Sequence, residues 1–121
     1  MLKMVRIYHN NRCSKSRSAV QILEEHNIKF EIIKYLDEVP SFDDLKQLVK
    51  KLGIRAEDLV RKNESIYKEQ FKELELSDEE WILTMCEYPI LIERPIVEFE
   101  NKALVARPPE VLEQFLKEYG A

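Results

Sequence analysis

The 121-residue chain predicts an α/β fold, built as one domain over residues 1–121. Three observations carry that expectation. Runs with period-two alternation stand early in the chain (MVRIY, IKFEIIKY), and strand-like runs stand late in it (PILIERPIVEFE, KALVA). Apolar residues at helical spacing fill the middle and the C-terminal end. No Gly/Ser/Pro-rich linker interrupts the pattern, and the length suits a single hydrophobic core.

Residues 4–8 give the first strand, and Ala19, Val20, Ile22 and Leu23 form the apolar face of a helix over 14–25. Residues 28–35 give the second strand. So short a β-α-β unit predicts a parallel pair with a right-handed crossover. Ser41 with Asp44 opens the next helix, whose stripe is Phe42, Leu45, Leu48, Val49 and Leu52, and Gly53 closes it. Short helical pieces follow over 56–62 and 65–72. Ser77 with Glu80 is a capping box for a helix through Trp81, Ile82, Met85 and Cys86. After Pro89, two strands are expected around a hairpin at Glu100-Asn101-Lys102. Pro108-Pro109-Glu110 then starts a last helix carrying Val111, Leu112, Phe115, Leu116 and Tyr119, with Gly120 as its cap. The order β-α-β, helices, β-β-α is that of a three-layer thioredoxin-like fold with a helical insertion.

Composition narrows the function. With 45% hydrophobic and 35% charged residues the chain reads as soluble and globular, and a net charge of −4 attracts neither nucleic acid nor anionic lipid. No segment reaches the roughly 20 apolar residues of a membrane span, and MLKMVRIYHN lacks the apolar run of an export signal. The expected location is cytoplasmic, where the two cysteines stay reduced unless chemistry uses them. Two glycines exclude a P-loop and a dinucleotide fingerprint, and Ala19 at the sixth position after Cys13 excludes C-x5-R. No Cys/His spacing fits zinc, so no metal is expected.

Cys13 is the chemically pointed residue. In YHNNRCSKSR it follows a strand and starts a helix, where unpaired amides and the helix dipole favour a thiolate. Arg12, Lys15 and Arg17 add positive potential, with His9 as a further contributor. Ser14, Ser16 and the turn amides are placed to hold an oxyanion against the sulfur. His9, Asn10, Arg12, Ser14, Lys15 and Ser16 are therefore candidates for binding substrate or stabilising the thiolate. A lone cysteine is more commonly a structural core residue, but such a residue gains nothing from cations and a helix start. His9 has two roles open to it, supporting the thiolate or hydrogen-bonding the turn. Cys86 lies on an apolar helix face with Trp81 and Met85 and reads as core, with a resolving thiol as the alternative. Without CxxC, Cys13 needs an outside thiol to turn over, and glutathione is the obvious supplier.

Arg61, Arg94 and Arg107 each sit among apolar neighbours beside an element terminus. Their planar donor forks match tetrahedral oxyanions, although taken singly each also suits a surface or capping position.

Together IYHNNRCSKSR, DLVRKNE and YPILIERPIVEFENKALVARPPE resemble the glutaredoxin-coupled arsenate reductase family, over about Val5 to Leu116. The resemblance implies a thioredoxin-like domain in which one cysteine attacks arsenate, glutathione adds to the arsenic, glutaredoxin reduces the adduct and arsenite leaves. It implies no tightly bound cofactor, with glutathione as co-substrate, and arsenate or a similar oxyanion, glutathione and glutaredoxin as partners. By it, Cys13 matches the nucleophile, Arg61, Arg94 and Arg107 the oxyanion-binding arginines, and His9 a histidine associated with the cysteine. It also suggests a cis Arg94–Pro95 peptide. Asn11 stands where the family usually has proline, which removes a restraint on the turn before Cys13. Two other functions remain on this fold: a glutathione-dependent thiol reductase on other substrates, and an RNA polymerase-binding regulator that senses oxidation through CxxC. The chain lacks CxxC.

Overall fold

The computed structural model describes residues 5–118. Met4 of the first predicted strand, and Tyr119 and Gly120 of the last helix, lie outside the described residues. The elements are β1 (Val5–Tyr8), α1 (Ser14–Glu25), β2 (Phe30–Ile33), α2 (Phe42–Leu52), α3 (Asp78–Glu87), β3 (Ile96–Glu98), β4 (Ala103–Val105) and α4 (Glu110–Glu118). They form two compact units, one within Met1–Glu38 and Arg94–Ala121, the other Val39–Glu93.

The first unit holds a four-stranded sheet in the order β2-β1-β3-β4. β1 pairs parallel with β2 (Val5↔Phe30 to Tyr8↔Ile33) and antiparallel with β3 (Tyr8↔Ile96, Arg6↔Glu98). β3 and β4 form the hairpin (Ile96↔Val105), closed by the Phe99 amide donating to the Lys102 carbonyl at 2.7 Å. Val5 and Ile7 share one face of the central strand because side chains alternate. They join Val97 and Leu104 of the hairpin, Ala19, Ile22 and Leu23 of α1, and Leu112 and Leu116 of α4 in one buried cluster. Each fully buried aliphatic side chain there contributes about 1.5–3 kcal/mol. Val111 departs from the predicted stripe: it is exposed, one position off the face set by Leu112 and Leu116.

The second unit is helical, as an insertion in the α/β frame requires. The Ser41 hydroxyl accepts from the Asp44 amide (3.1 Å), and Gly53 ends α2 at φ 68°, a left-handed position suited to glycine. The Ser77–Glu80 box forms in both directions (3.2 and 2.9 Å). Trp81, Ile82 and Met85 of α3 are buried, and Trp81 stacks with Tyr67 at 6.2 Å. The expected helical pieces are a 3₁₀ turn at Ala56–Leu59 and a π turn at Tyr67–Phe71. Cys86 is half-buried rather than fully core.

Two predicted strands are shorter than expected. β2 stops at Ile33 where its partner β1 ends, and the amides of Asp37 and Glu38 turn back onto the Lys34 carbonyl. The segment Pro89–Leu91 is a 3₁₀ turn, not strand, with one isolated bridge, Val60↔Ile92. There the Leu91 and Ile92 amides are consumed by the carbonyls of Tyr88 and Pro89, while Pro95 has no amide to donate, so β3 begins after it. Among the described residues no helix is long and apolar enough to cross a membrane.

Candidate active site

Topology brings three dispersed residues to one end of the sheet. Cys13 lies five residues beyond Tyr8, the last residue of β1. Arg94 lies two residues before Ile96, the first of β3, and Arg107 two residues after Val105, the last of β4. Tyr8↔Ile96 and Ile96↔Val105 are register neighbours, so all three residues leave the sheet on the same side. Arg94–Pro95 is cis, and so is Arg107–Pro108. The Ala106 amide donates to the Pro95 carbonyl at 2.9 Å, fixing the two arginine-bearing segments to each other.

Cys13 is the N-cap of α1, with extended backbone (φ −99°, ψ 122°). The turn before it is closed by short-range hydrogen bonds. The Cys13 amide donates to the Asn10 carbonyl (2.9 Å), the Arg12 amide to Asn10 Oδ1 (3.0 Å) and the Asn10 amide to Ser16 Oγ (3.4 Å). Arg17 Nη1 reaches back to the Asn11 carbonyl at 2.9 Å. Asn11 in place of proline therefore sits in a turn anchored by Arg17. Asn10 and Ser16 are buried, and Ser14, Lys15 and Arg12 are exposed.

Arg107 Nη1 lies 3.8 Å from Cys13 Sγ and donates to the Arg94 carbonyl at 3.1 Å. Arg94 is itself buried. Burial pushes the Cys13 thiol up, but the amides of Ser16 and Lys15 and then the guanidinium groups of Arg107 and Arg94 outweigh it, bringing the pKa down to about 7. The sulfur makes no capping hydrogen bond of regular geometry, so the amides act chiefly as nearby dipoles. The guanidinium groups that lower the thiol pKa come from the ends of β3 and β4, and Lys15 contributes through its backbone amide.

His9 is buried, and its Nδ1 has no hydrogen-bond partner. Burial, Lys34 and Arg17 lower its pKa below 6.5. The lowered pKa favours the neutral ring over the imidazolium. The turn residues 9–12, with Lys34, Leu36 and Asp37, line a cavity of about 330 Å³. Lys34 and Asp37 were not singled out in the sequence. A parallel β-α-β unit places the C-terminal ends of its two strands side by side, and that signal points to them. Here the His9 amide donates to the Ile33 carbonyl at 2.9 Å.

Arg61 lies in the second unit. Its Nη1 donates to Glu93 at 2.8 Å and its Nε to Glu64 at 3.3 Å. Its backbone amide donates to the Leu91 carbonyl at 2.7 Å. Cys86, in the same unit, has its thiol pushed up by burial.

A thiol near neutrality beside two guanidinium groups can act as a nucleophile toward an anionic electrophile or a disulfide. The chain is 44% identical over 112 residues to YfgD, an uncharacterised protein of Escherichia coli K12, covering 91% of this chain and 94% of that one. It is 40% identical over 114 residues to a Neisseria meningitidis serogroup A protein named arsenate reductase, covering 93% and 97%. The structure named arsenate reductase from Vibrio cholerae superposes with a TM-score of 0.87 at 40% identity, covering 94% of this chain and 98% of that one. The fold is thioredoxin-like α/β. A sequence profile of the ArsC family matches residues 8–115, and this chain belongs to the ArsC family.

Proposed function

We propose that this protein is an arsenate reductase in which Cys13 is the nucleophile and glutathione and glutaredoxin complete the reduction. The observation that carries the reading is the Arg107 guanidinium 3.8 Å from a thiol whose pKa lies at about 7. A cation-rich pocket favours a thiolate and a multiply charged tetrahedral anion alike. The 40% identity to proteins named arsenate reductase supports the choice of anion.

The Cys13 thiolate attacks arsenic, and one arsenate oxygen leaves as water after protonation. A glutathione thiol displaces a second oxygen, again as water. A glutaredoxin thiolate then attacks the glutathione sulfur, and the sulfur–arsenic electron pair passes to arsenic, reducing As(V) to As(III). Glutaredoxin and glutathione depart as a mixed disulfide. Water releases arsenite and restores the Cys13 thiol. Arg94 and Arg107 hold the anion and the charge that develops on it. The reducing cytosol, which supplies these thiols, is the proposed setting.

A second reading, a glutathione-dependent reductase of other substrates, is favoured by one observation. Arg61 has both Nε and Nη1 satisfied by glutamates, which leaves less arginine charge for an oxyanion. NADPH consumption with arsenate, glutathione, glutaredoxin and glutathione reductase decides between them. Arsenate-dependent turnover that is abolished in Cys13→Ser and sharply reduced in Arg94→Ala is the expected result. No arsenate-dependent turnover in folded protein, with Cys13 still rapidly alkylated, gives the second reading.

A further inference from the structure

The cavity beside the Cys13 turn carries charges that the attack on arsenate does not use. Arg12 and Lys34 line it with Asp37, and none of the three makes an ion pair among the described residues. We propose that this cavity is the subsite for the amino-acid-like, zwitterionic end of a peptidic thiol such as glutathione, with Lys34 and Arg12 receiving its carboxylate and Asp37 its ammonium group. The inference rests on the thiol-dependent turnover proposed above and names the groups that recognise the co-substrate.

Position supports it. The cavity wall is the turn that ends at the nucleophile, since the Asn10 carbonyl accepts from the Cys13 amide at 2.9 Å. Lys34 is held beside that turn because the His9 amide donates to the Ile33 carbonyl. Size supports it too. About 330 Å³ is at the small end of ligand pockets, which run roughly 300–1,000 Å³. It therefore takes one end of a tripeptide and leaves the thiol free to extend toward Cys13. The buried His9 imidazole, with Nδ1 unpartnered, offers this wall a neutral polar group. An inorganic oxyanion fits less well: it has no use for Asp37, which repels it.

The test uses Cys86→Ser protein with Cys13 held as a mixed disulfide with thionitrobenzoate. An attacking thiolate bonds to the Cys13 sulfur and expels the thionitrobenzoate thiolate, whose absorbance gives the rate. Glutathione is compared with 2-mercaptoethanol, which carries neither charge. Lys34→Glu and the milder Lys34→Ala should both lower the ratio of glutathione to mercaptoethanol rates, and Lys34→Glu by about fivefold, the upper end for an exposed charge contact. S-methylglutathione, which cannot react, should compete with glutathione, and phosphate should not. A ratio that stays within about twofold of the parent in both variants overturns the proposal. Competition by phosphate at equal or lower concentration also overturns it, assigning the cavity to an inorganic oxyanion. No arsenate enters this assay, so its outcome is separate from whether arsenate is the substrate.

Discussion

Arg107 Nη1 lies 3.8 Å from Cys13 Sγ across 94 residues of sequence, and the same nitrogen donates to the Arg94 carbonyl at 3.1 Å. One guanidinium thus ties the nucleophile to the segment bearing the second arginine. The alkylation rate of Cys13 should therefore be half-maximal near pH 7, falling below it as the thiolate is protonated. Arg107→Ala should move that midpoint upward, toward the ordinary thiol value of about 8.5, because burial is then less opposed. Cys86, pushed up by burial, should stay slow at neutral pH. Iodoacetamide rates across the pH range measure both, and an unmoved midpoint in Arg107→Ala contradicts the assignment.

The same titration has a stability consequence. A thiol whose folded pKa is depressed favours the folded state once it ionises. The Cys13 pKa falls from the ordinary thiol value of about 8.5 to about 7, so its contribution is complete above about pH 9 and is lost as pH falls through 7. Wild type and Cys13→Ser should then differ more in urea midpoint at pH 9 than at pH 6. A constant difference across that window would show that the sulfur contributes through packing alone.

His9 titrates below 6.5 because it is buried and faces the charges of Lys34 and Arg17. Removing either cation should raise its pKa, and NMR titration of the imidazole reads the shift directly. The sign for stability follows from a depressed folded pKa. The neutral ring favours the folded state above 6.5, and that contribution is lost on acidification, when the unfolded chain binds the proton first. A His9 pKa that rises in neither Lys34→Ala nor Arg17→Ala would leave burial as its sole cause.

Much of the frame was legible because it rests on local patterns. Ser77 and Glu80 announce their box, Gly53 its left-handed cap, and Val5 and Ile7 their shared face. The 3₁₀ turn at Pro89–Leu91 was not, because ILI is an apolar run with β-branched residues, as in a buried strand, and only the competition for backbone amides decides against it. At the site, Cys13 was visible from its helix start. Arg94 and Arg107 were weak singly, since their convergence depends on the register Tyr8↔Ile96↔Val105, a non-local fact. Nearness in sequence does not by itself aim a cation at the sulfur. Arg17 is one helical turn from Cys13, yet its guanidinium serves the Asn11 carbonyl.

The second unit has its own test in Arg61 and Glu93, paired at 2.8 Å with side chains only 14% and 27% exposed. Removing one partner leaves a poorly solvated group short of a partner, which costs more than the pair contributes. Glu93→Leu should therefore destabilise by about 1–3 kcal/mol. Glu64 keeps Arg61 partly satisfied through Nε at 3.3 Å, which argues for the lower part of that range. Arg61→Leu takes one partner from each of two carboxylates, and these are closer to solvent and recover hydration more readily. The double variant should then be more stable than the sum of the single losses, with a coupling of about 0.5–1.5 kcal/mol. Urea unfolding of the four proteins gives the cycle. Strict additivity would mean that water already solvates both groups, and that Arg61 keeps its place through its amide bond to the Leu91 carbonyl instead.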